Sequence, residues 1–197
     1  MSVTHSYDLV EAAKVNLRAC FPEPADQKQL LSVISIAEEA HRGQTRRDST
    51  PYIVHPLTVA SAVFNKVGAL GWKWIDVKIA VFAAILHDAV EDGFSYVAIR
   101  AIITNTVNIQ RLVDPIMKEV DALTRRKDET YSHYMQHLIS GASKSAIIIK
   151  YYDMKDNMFG CYKELYDQNS DTRQACEQLR KYLKVFPVLK EAVEKIA

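Results

Sequence analysis

Residues 75–90 read IDVKIAVFAAILHDAV, a run whose apolar side chains cover almost every side of a helix until His87 and Asp88 interrupt it. A helix that is apolar all round must be enclosed, so the rest of the chain has to supply the enclosing faces. Between 26 and 42, Leu30, Leu31, Ile34, Ala37 and Ala40 recur at helical spacing, with Glu38 and Glu39 on the other side. A second amphipathic segment covers 56–67, where Pro56 suits a first helical position and Gly68 a C-terminal stop. Further helices are expected over 96–103, 109–124, 129–139, 143–162 and 171–197. Residues 146–150, AIIIK, resemble a buried strand in isolation, but Tyr152, Asp153, Met154, Asn157 and Met158 continue a helical period beyond them. No stretch of five or more residues alternates at period two. The expected fold class is therefore all-α, a helical bundle around the buried 75–90 helix. One domain is expected over 1–197, with its motif-bearing core at 37–159 and a helical extension at 171–197.

Composition removes several function classes. The 25 Lys+Arg balance 24 Asp+Glu, a net charge of +1, which supplies no broad positive field for a phosphate backbone. Nucleic acid is not expected as the main partner. No apolar run reaches the roughly 18–20 residues that span a bilayer, and the opening MSVTHSYDLVEAAK lacks an export pattern. Cys20, Cys161 and Cys176 are scattered and form no C-x-x-C pair. A soluble protein of the reducing cytoplasm is expected.

The chemistry concentrates where the apolar helix runs into His87, Asp88, Glu91 and Asp92. At helical spacing His87 lies one turn from Glu91, and Asp88 one turn from Asp92. Ionisable groups in an apolar setting need compensation. A structural ion pair would provide it; a divalent cation is the alternative. Two other segments favour the cation. Pro51-Tyr52-Ile53-Val54-His55-Pro56 sets a histidine at the mouth of the second helix, and Asp153 lies in an otherwise apolar helix with Asn157 one turn later. His55, His87, Asp88 and Asp153 would form a mixed nitrogen and oxygen shell, suited to manganese, iron or zinc and open to water or substrate. A divalent cation lowers the pKa of a water it binds and neutralises charge growing on phosphate oxygens.

These motifs, in this order, resemble a family. His41-Arg42-Gly43-Gln44-Thr45-Arg46, Pro51-Tyr52-Ile53-Val54-His55-Pro56, Leu86-His87-Asp88-Ala89-Val90-Glu91-Asp92 and Lys150-Tyr151-Tyr152-Asp153-Met154-Lys155-Asp156-Asn157 look like the HD-domain hydrolase module of RelA/SpoT proteins and of the stand-alone small alarmone hydrolases. The resemblance implies an HD-domain helical bundle whose central helix carries the His-Asp motif. It implies Mn2+, or another divalent transition metal, held by His55, His87, Asp88 and Asp153. It gives Glu91 and Asp92 the activation of water and the handling of protons, and gives Arg46, Arg47 and Asn157 contact with a guanine nucleotide. The implied reaction removes the 3′-pyrophosphate of guanosine tetra- or pentaphosphate, leaving GDP or GTP.

Two departures bear on substrate. Family members often read Arg-Lys-Ser-Gly where this chain reads Arg46-Arg47-Asp48-Ser49, and Met-Arg-Thr where it reads Met158-Phe159-Gly160. An HD phosphohydrolase acting on an adenine alarmone, a nucleoside monophosphate or a dinucleotide 2′-phosphate is the alternative, and an idle nucleotide sensor is a third reading. At 197 residues a hydrolase-only member is expected, without synthetase or regulatory domains. His5, His133 and His137 have no evident acidic companions and read as surface residues, His41 as a packing or supporting histidine. Arg125, Arg126 and Lys127 read as a basic helix end.

Overall fold

The computed structural model describes residues 3–106, 110–167 and 172–196. Among the described residues the regular structure is helical, with one isolated antiparallel bridge between Thr45 and Pro51, and the all-α expectation holds. The chain forms two compact units, Met1–Thr124 and Arg125–Ala197. No described helix is long and apolar enough to cross a membrane.

The first unit contains α1 (Val3–Ala19), α2 (Pro24–Ala40), α3 (Val54–Ala69), α4 (Trp74–Leu86), α5 (Tyr96–Thr106) and α6 (Gln110–Leu123). The apolar run is α4, packed against α2, α3 and α6. Its residues 80–86 are all buried, as are Val77 and Lys78. Lys78 is tolerated inside because its ammonium donates to Asp26 Oδ1 at 2.7 Å and to Gln29 Oε1 at 3.3 Å, while Trp74 Nε1 donates to Asp26 Oδ2 at 2.6 Å. Buried charge is retained where it is paired and hydrogen-bonded. Phe21, fully buried, stacks on Phe82 at 5.9 Å between centroids and meets Trp74 edge-on at 5.2 Å.

The structure moves several boundaries. Helix α4 stops at Leu86, short of the expected 90; His87 is its cap, and residues 87–93 run on as turns to Gly93 at φ 97°. Helix α3 does not end at Gly68. The helix ends at Ala69 with Leu70 as its cap; Gly71 after the cap adopts φ 68°, Gly71 N–H donates to Gly68 O and Trp72 N–H to Val67 O. That pair of bonds is the Schellman closure, which needs a left-handed residue after the cap. Helix α1 is not among the expected helices: its buried Val10 and Leu17 lie seven residues apart, with Val15 exposed between them, so the apolar residues trace no stripe.

The second unit contains α7 (Tyr131–Gly141), α8 (Lys144–Tyr166) and α9 (Arg173–Glu194), with α9 packed on both α7 and α8. Thr130 caps α7 by accepting from His133 N–H, and Ser143 caps α8 by accepting from Ala146 N–H. AIIIK lies in α8, where Ser145, Ala146, Ile147, Ile148 and Ile149 are buried. Residues 109, 171 and 197, at the ends of expected helices, and the side chain of His5 lie outside the described residues.

Candidate metal centre

The segment between α2 and α3 is a tight loop that delivers two site residues. His41 caps α2, Gly43 turns the chain at φ 75°, and the Thr45–Pro51 bridge closes the loop. Within it Arg46 N–H donates to Thr50 O at 2.8 Å and Ser49 takes φ 64°. Asp48 Oδ1 accepts from Thr50 N–H at 3.0 Å, so this departure from the family pattern serves the turn. Helix α3 then starts at Val54, ahead of the expected position, and takes His55 and Pro56 into its first turn. Pro56 costs no hydrogen bond there, because the first-turn N–H groups have no intrahelical partner.

His55, His87 and Asp88 converge in the first unit. One carboxylate oxygen, Asp88 Oδ2, faces His55 Nε2 at 3.4 Å and His87 Nε2 at 3.2 Å, and accepts a hydrogen bond from the Tyr52 hydroxyl at 2.7 Å. The imidazole centroids are 5.2 Å apart, and the histidines are 1% and 2% exposed. His87 Nδ1 lies 2.7 Å from Ala84 O. A carbonyl only accepts, so Nδ1 carries the proton and, in the neutral ring, Nε2 presents a lone pair toward a carboxylate oxygen. Two electron-rich atoms at that distance require a positive charge between them. Protonating both imidazoles would bury two cations side by side, which burial disfavours. Were the imidazoles protonated instead, burial would be outweighed by the charge of His87 and the hydrogen bond from His55, which would hold the Asp88 carboxyl well below the usual carboxylate range, so Asp88 is the anion of the cluster either way.

The donor set fits a divalent ion. Two ligands at about 2.1 Å from a tetrahedral centre are about 3.4 Å apart, close to the 3.2 and 3.4 Å edges measured here. A carboxylate and two imidazoles without cysteine suit manganese, iron or zinc. His87 Nδ1–H on a backbone carbonyl is the supporting bond that fixes a ligating tautomer.

Glu91 and Asp92 follow on the turns after α4, and both are exposed, so of the four ionisable groups only His87 and Asp88 reach the interior. Asp92 N–H donates to Asp88 O at 3.0 Å, which preserves the one-turn spacing read from the sequence. Asp92 Oδ2 lies 3.1 Å from His41 Nδ1, which also meets Gln44 Oε1 at 2.9 Å. The buried His41 ring packs on Tyr52 at 4.7 Å. His41 is thus the supporting histidine expected, and what it supports is Asp92.

Asp153 lies in the second unit, buried on α8. Lys150 Nζ is 2.7 Å from its Oδ2, and Asn157 Nδ2 donates to its Oδ1 at 2.6 Å. Burial pushes the Tyr182 phenol up to about 12 and the Tyr131 phenol higher still, with the Asp153 charge adding to both. Each phenol therefore stays protonated at neutral pH. Arg46 is half-buried and Arg47 exposed on the α2–α3 loop. Phe159, where the family often has arginine, is 58% exposed, and Lys163 Nζ sits 4.8 Å over its ring, so a cation remains on that face of α8.

Four partnerships escaped the sequence reading: Tyr52 with Asp88, His41 with Asp92, Lys150 with Asp153, and Glu129 with His133 and His137. Tyr52 and Lys150 each precede a site residue by three positions, the one signal that marked them. The last corrects the expectation that His133 and His137 lack acidic companions: Glu129 Oε1 is 3.1 and 3.5 Å from their Nδ1 atoms.

No family model matches the chain. Curated proteins do. The chain is 31% identical over 139 residues to the bifunctional (p)ppGpp synthase/hydrolase SpoT of Escherichia coli, covering 68% of this chain and 18% of that protein. It is 29% identical over 136 residues to the guanosine-3′,5′-bis(diphosphate) 3′-pyrophosphohydrolase MESH1 of Mus musculus, covering 67% and 71% respectively. A Borreliella burgdorferi protein named guanosine-3′,5′-bis(diphosphate) 3′-pyrophosphohydrolase is 32% identical over 79 residues, 40% of this chain and 11% of that one. The chain thus spans less than a fifth of the length of the Escherichia coli relative.

Proposed function

Because this chain is a homologue of the RelA/SpoT-type HD-domain (p)ppGpp hydrolases, we propose that it hydrolyses the 3′-pyrophosphate of guanosine tetra- or pentaphosphate, releasing pyrophosphate and GDP or GTP. The observation that carries the reading is the His87 tautomer, which turns an imidazole lone pair toward Asp88 Oδ2 at 3.2 Å in a buried site. His55, His87 and Asp88 would hold a divalent ion, manganese by the family resemblance. Asp153 is proposed as the fourth ligand, on the strength of its matching motif position and of a buried carboxylate already stripped of most water. When bound, the ion supplies Lewis acidity toward water and phosphate oxygens.

The chain's own groups do the rest. Glu91 is proposed to take the proton of the attacking water and Asp92 to pass it to the departing 3′ oxygen, the carboxylate work of general acid–base catalysis. His41 holds Asp92 in place. Tyr52 fixes the Asp88 carboxylate, leaving its imidazole-facing oxygen oriented. Arg46 and Arg47 are proposed to meet substrate phosphates, where the planar guanidinium grips two oxygens at once, and Asn157 to contact the nucleotide. The working domain is proposed to be the whole of 1–197, in the cytoplasm, where Cys20, Cys161 and Cys176 remain thiols.

A second reading keeps the centre and changes the nucleotide. It is favoured by Phe159 and Gly160, which replace a cation and a hydroxyl by an exposed ring and no side chain. Incubation of metal-loaded protein with guanosine tetraphosphate, followed by product identification, tests both. GDP with intact pyrophosphate supports the first; inert guanosine tetraphosphate with turnover of an adenine alarmone, a nucleoside monophosphate or a dinucleotide 2′-phosphate supports the second.

A further inference from the structure

At the start of α7, Glu129, His133 and His137 bring one carboxylate and two imidazoles together on the outside of the second unit. Both Nδ1 atoms turn to the same oxygen, Glu129 Oε1, at 3.1 and 3.5 Å, and the imidazole centroids are 4.0 Å apart. All three donor atoms lie within 4.8 Å of one another. The histidine side chains are 58% and 64% exposed, that of Glu129 15%. Glu129 is also held by its backbone: its N–H donates to Arg126 O at 3.1 Å, and its carbonyl accepts from Arg125 at 3.3 Å. The backbone of Glu129 is thus anchored, and the two exposed imidazoles can adjust around its carboxylate.

Ion pairing alone engages the two imidazoles unequally: one imidazolium beside one neutral ring satisfies Glu129, and a second proton is disfavoured. A protonated imidazole on Glu129 would place the second, if also protonated, against a like charge at 4.0 Å. Two neutral rings would leave the carboxylate with at most two N–H donors and no positive partner from either. One divalent ion replaces both protons and lets three donors share a single charge centre. Histidines four residues apart on one helix face, with a carboxylate close by, form a chelating set, and imidazole selects zinc, copper and nickel over magnesium or calcium. Ligand bonds of about 2.0–2.2 Å at a tetrahedral centre place donors about 3.3–3.6 Å apart, close to the 3.1 and 3.5 Å edges here, and small rotamer changes of exposed side chains supply the rest.

We propose that Glu129, His133 and His137 form a surface site for zinc or a similar imidazole-seeking divalent ion, fastening the 125–130 turn to the first turns of α7. Three protein ligands leave at least one position open to water. The proposal stands apart from the hydrolase reading, since it uses none of those residues.

The test uses untagged full-length protein. Zn2+ titration followed by histidine 15N spectra is expected to shift the His133 and His137 signals together at low ion concentration. The thermal midpoint should rise with Zn2+, and the protein should be retained on immobilised Cu2+. The double variant His133→Gln/His137→Gln, changed only at exposed positions, should keep its circular dichroism and melt normally without ion. It should show a smaller ion-dependent rise than the parent, the remainder belonging to the buried His55, His87 and Asp88 centre, and elute at much lower imidazole, whereas His5→Gln should behave like the parent. His133 and His137 signals unmoved by Zn2+, or equal copper retention by the double variant, would overturn the proposal.

Discussion

Tyr52 donates a 2.7 Å hydrogen bond to Asp88, thirty-six residues along the chain, on the same carboxylate oxygen that both buried imidazoles face. Tyr52→Phe keeps the ring on His41 and removes only the donor. Supporting bonds of this kind are worth roughly 10–100-fold in metal affinity or activity. Mn2+ titration of the variant should show a loss in that range with the fold unchanged; an unaltered affinity would mean the hydroxyl does not orient the ligand.

Asp88→Ala and Glu91→Ala should separate binding from chemistry. Asp88 sits between two imidazoles in the interior, while Glu91 is exposed on the following turn. Asp88→Ala is expected to lose the ion and turnover together. Glu91→Ala is expected to keep the ion and lose roughly 10²–10⁴-fold in turnover, the usual weight of a general base. Bound-metal analysis beside pyrophosphate release distinguishes the two.

Lys150 is the counter-charge of buried Asp153 at 2.7 Å. Lys150→Met should destabilise the protein by about 3 kcal/mol, because removing one partner leaves a carboxylate buried without its cation. Urea unfolding reads this directly. A double change, Lys150→Met with Asp153→Leu, should recover most of the loss.

The acid limb of stability should depend on Asp26. Burial alone would raise its carboxyl, but hydrogen bonds from Lys78 and Trp74 outweigh it and hold the group below its ordinary value. A depressed folded value means the unfolded chain binds the proton more readily, so this contribution is present above about pH 4 and lost as pH falls through the folded value. Asp26→Asn should therefore be less stable than the parent at pH 6, with the gap narrowing below about pH 4. Urea midpoints across that range check it, and a constant gap would contradict it.

The sequence carried the parts of this fold that periodicity encodes. An all-apolar α4 could only be central, and the second and third motifs held His55, His87 and Asp88, which converge in the first unit. Periodicity failed where local backbone chemistry decides. Gly71 rather than Gly68 closes α3, since the left-handed position falls after the cap and not at the last apolar residue. Helix α4 yields to turns at His87, a change no apolar count foretells. Partnerships were least visible, because Tyr52 with Asp88 and His41 with Asp92 join residues far apart in sequence through hydrogen bonds that leave no periodic trace.

The central claim is that the His55, His87 and Asp88 cluster holds one divalent ion on which pyrophosphate release depends. Metal-stripped protein titrated with Mn2+, with bound ion and pyrophosphate from guanosine tetraphosphate measured in the same samples, tests it most directly. Release should rise from background in proportion to filling of one tight site, and Asp88→Ala should show neither binding nor release. Full release by stripped protein in excess chelator, or by Asp88→Ala, would contradict it.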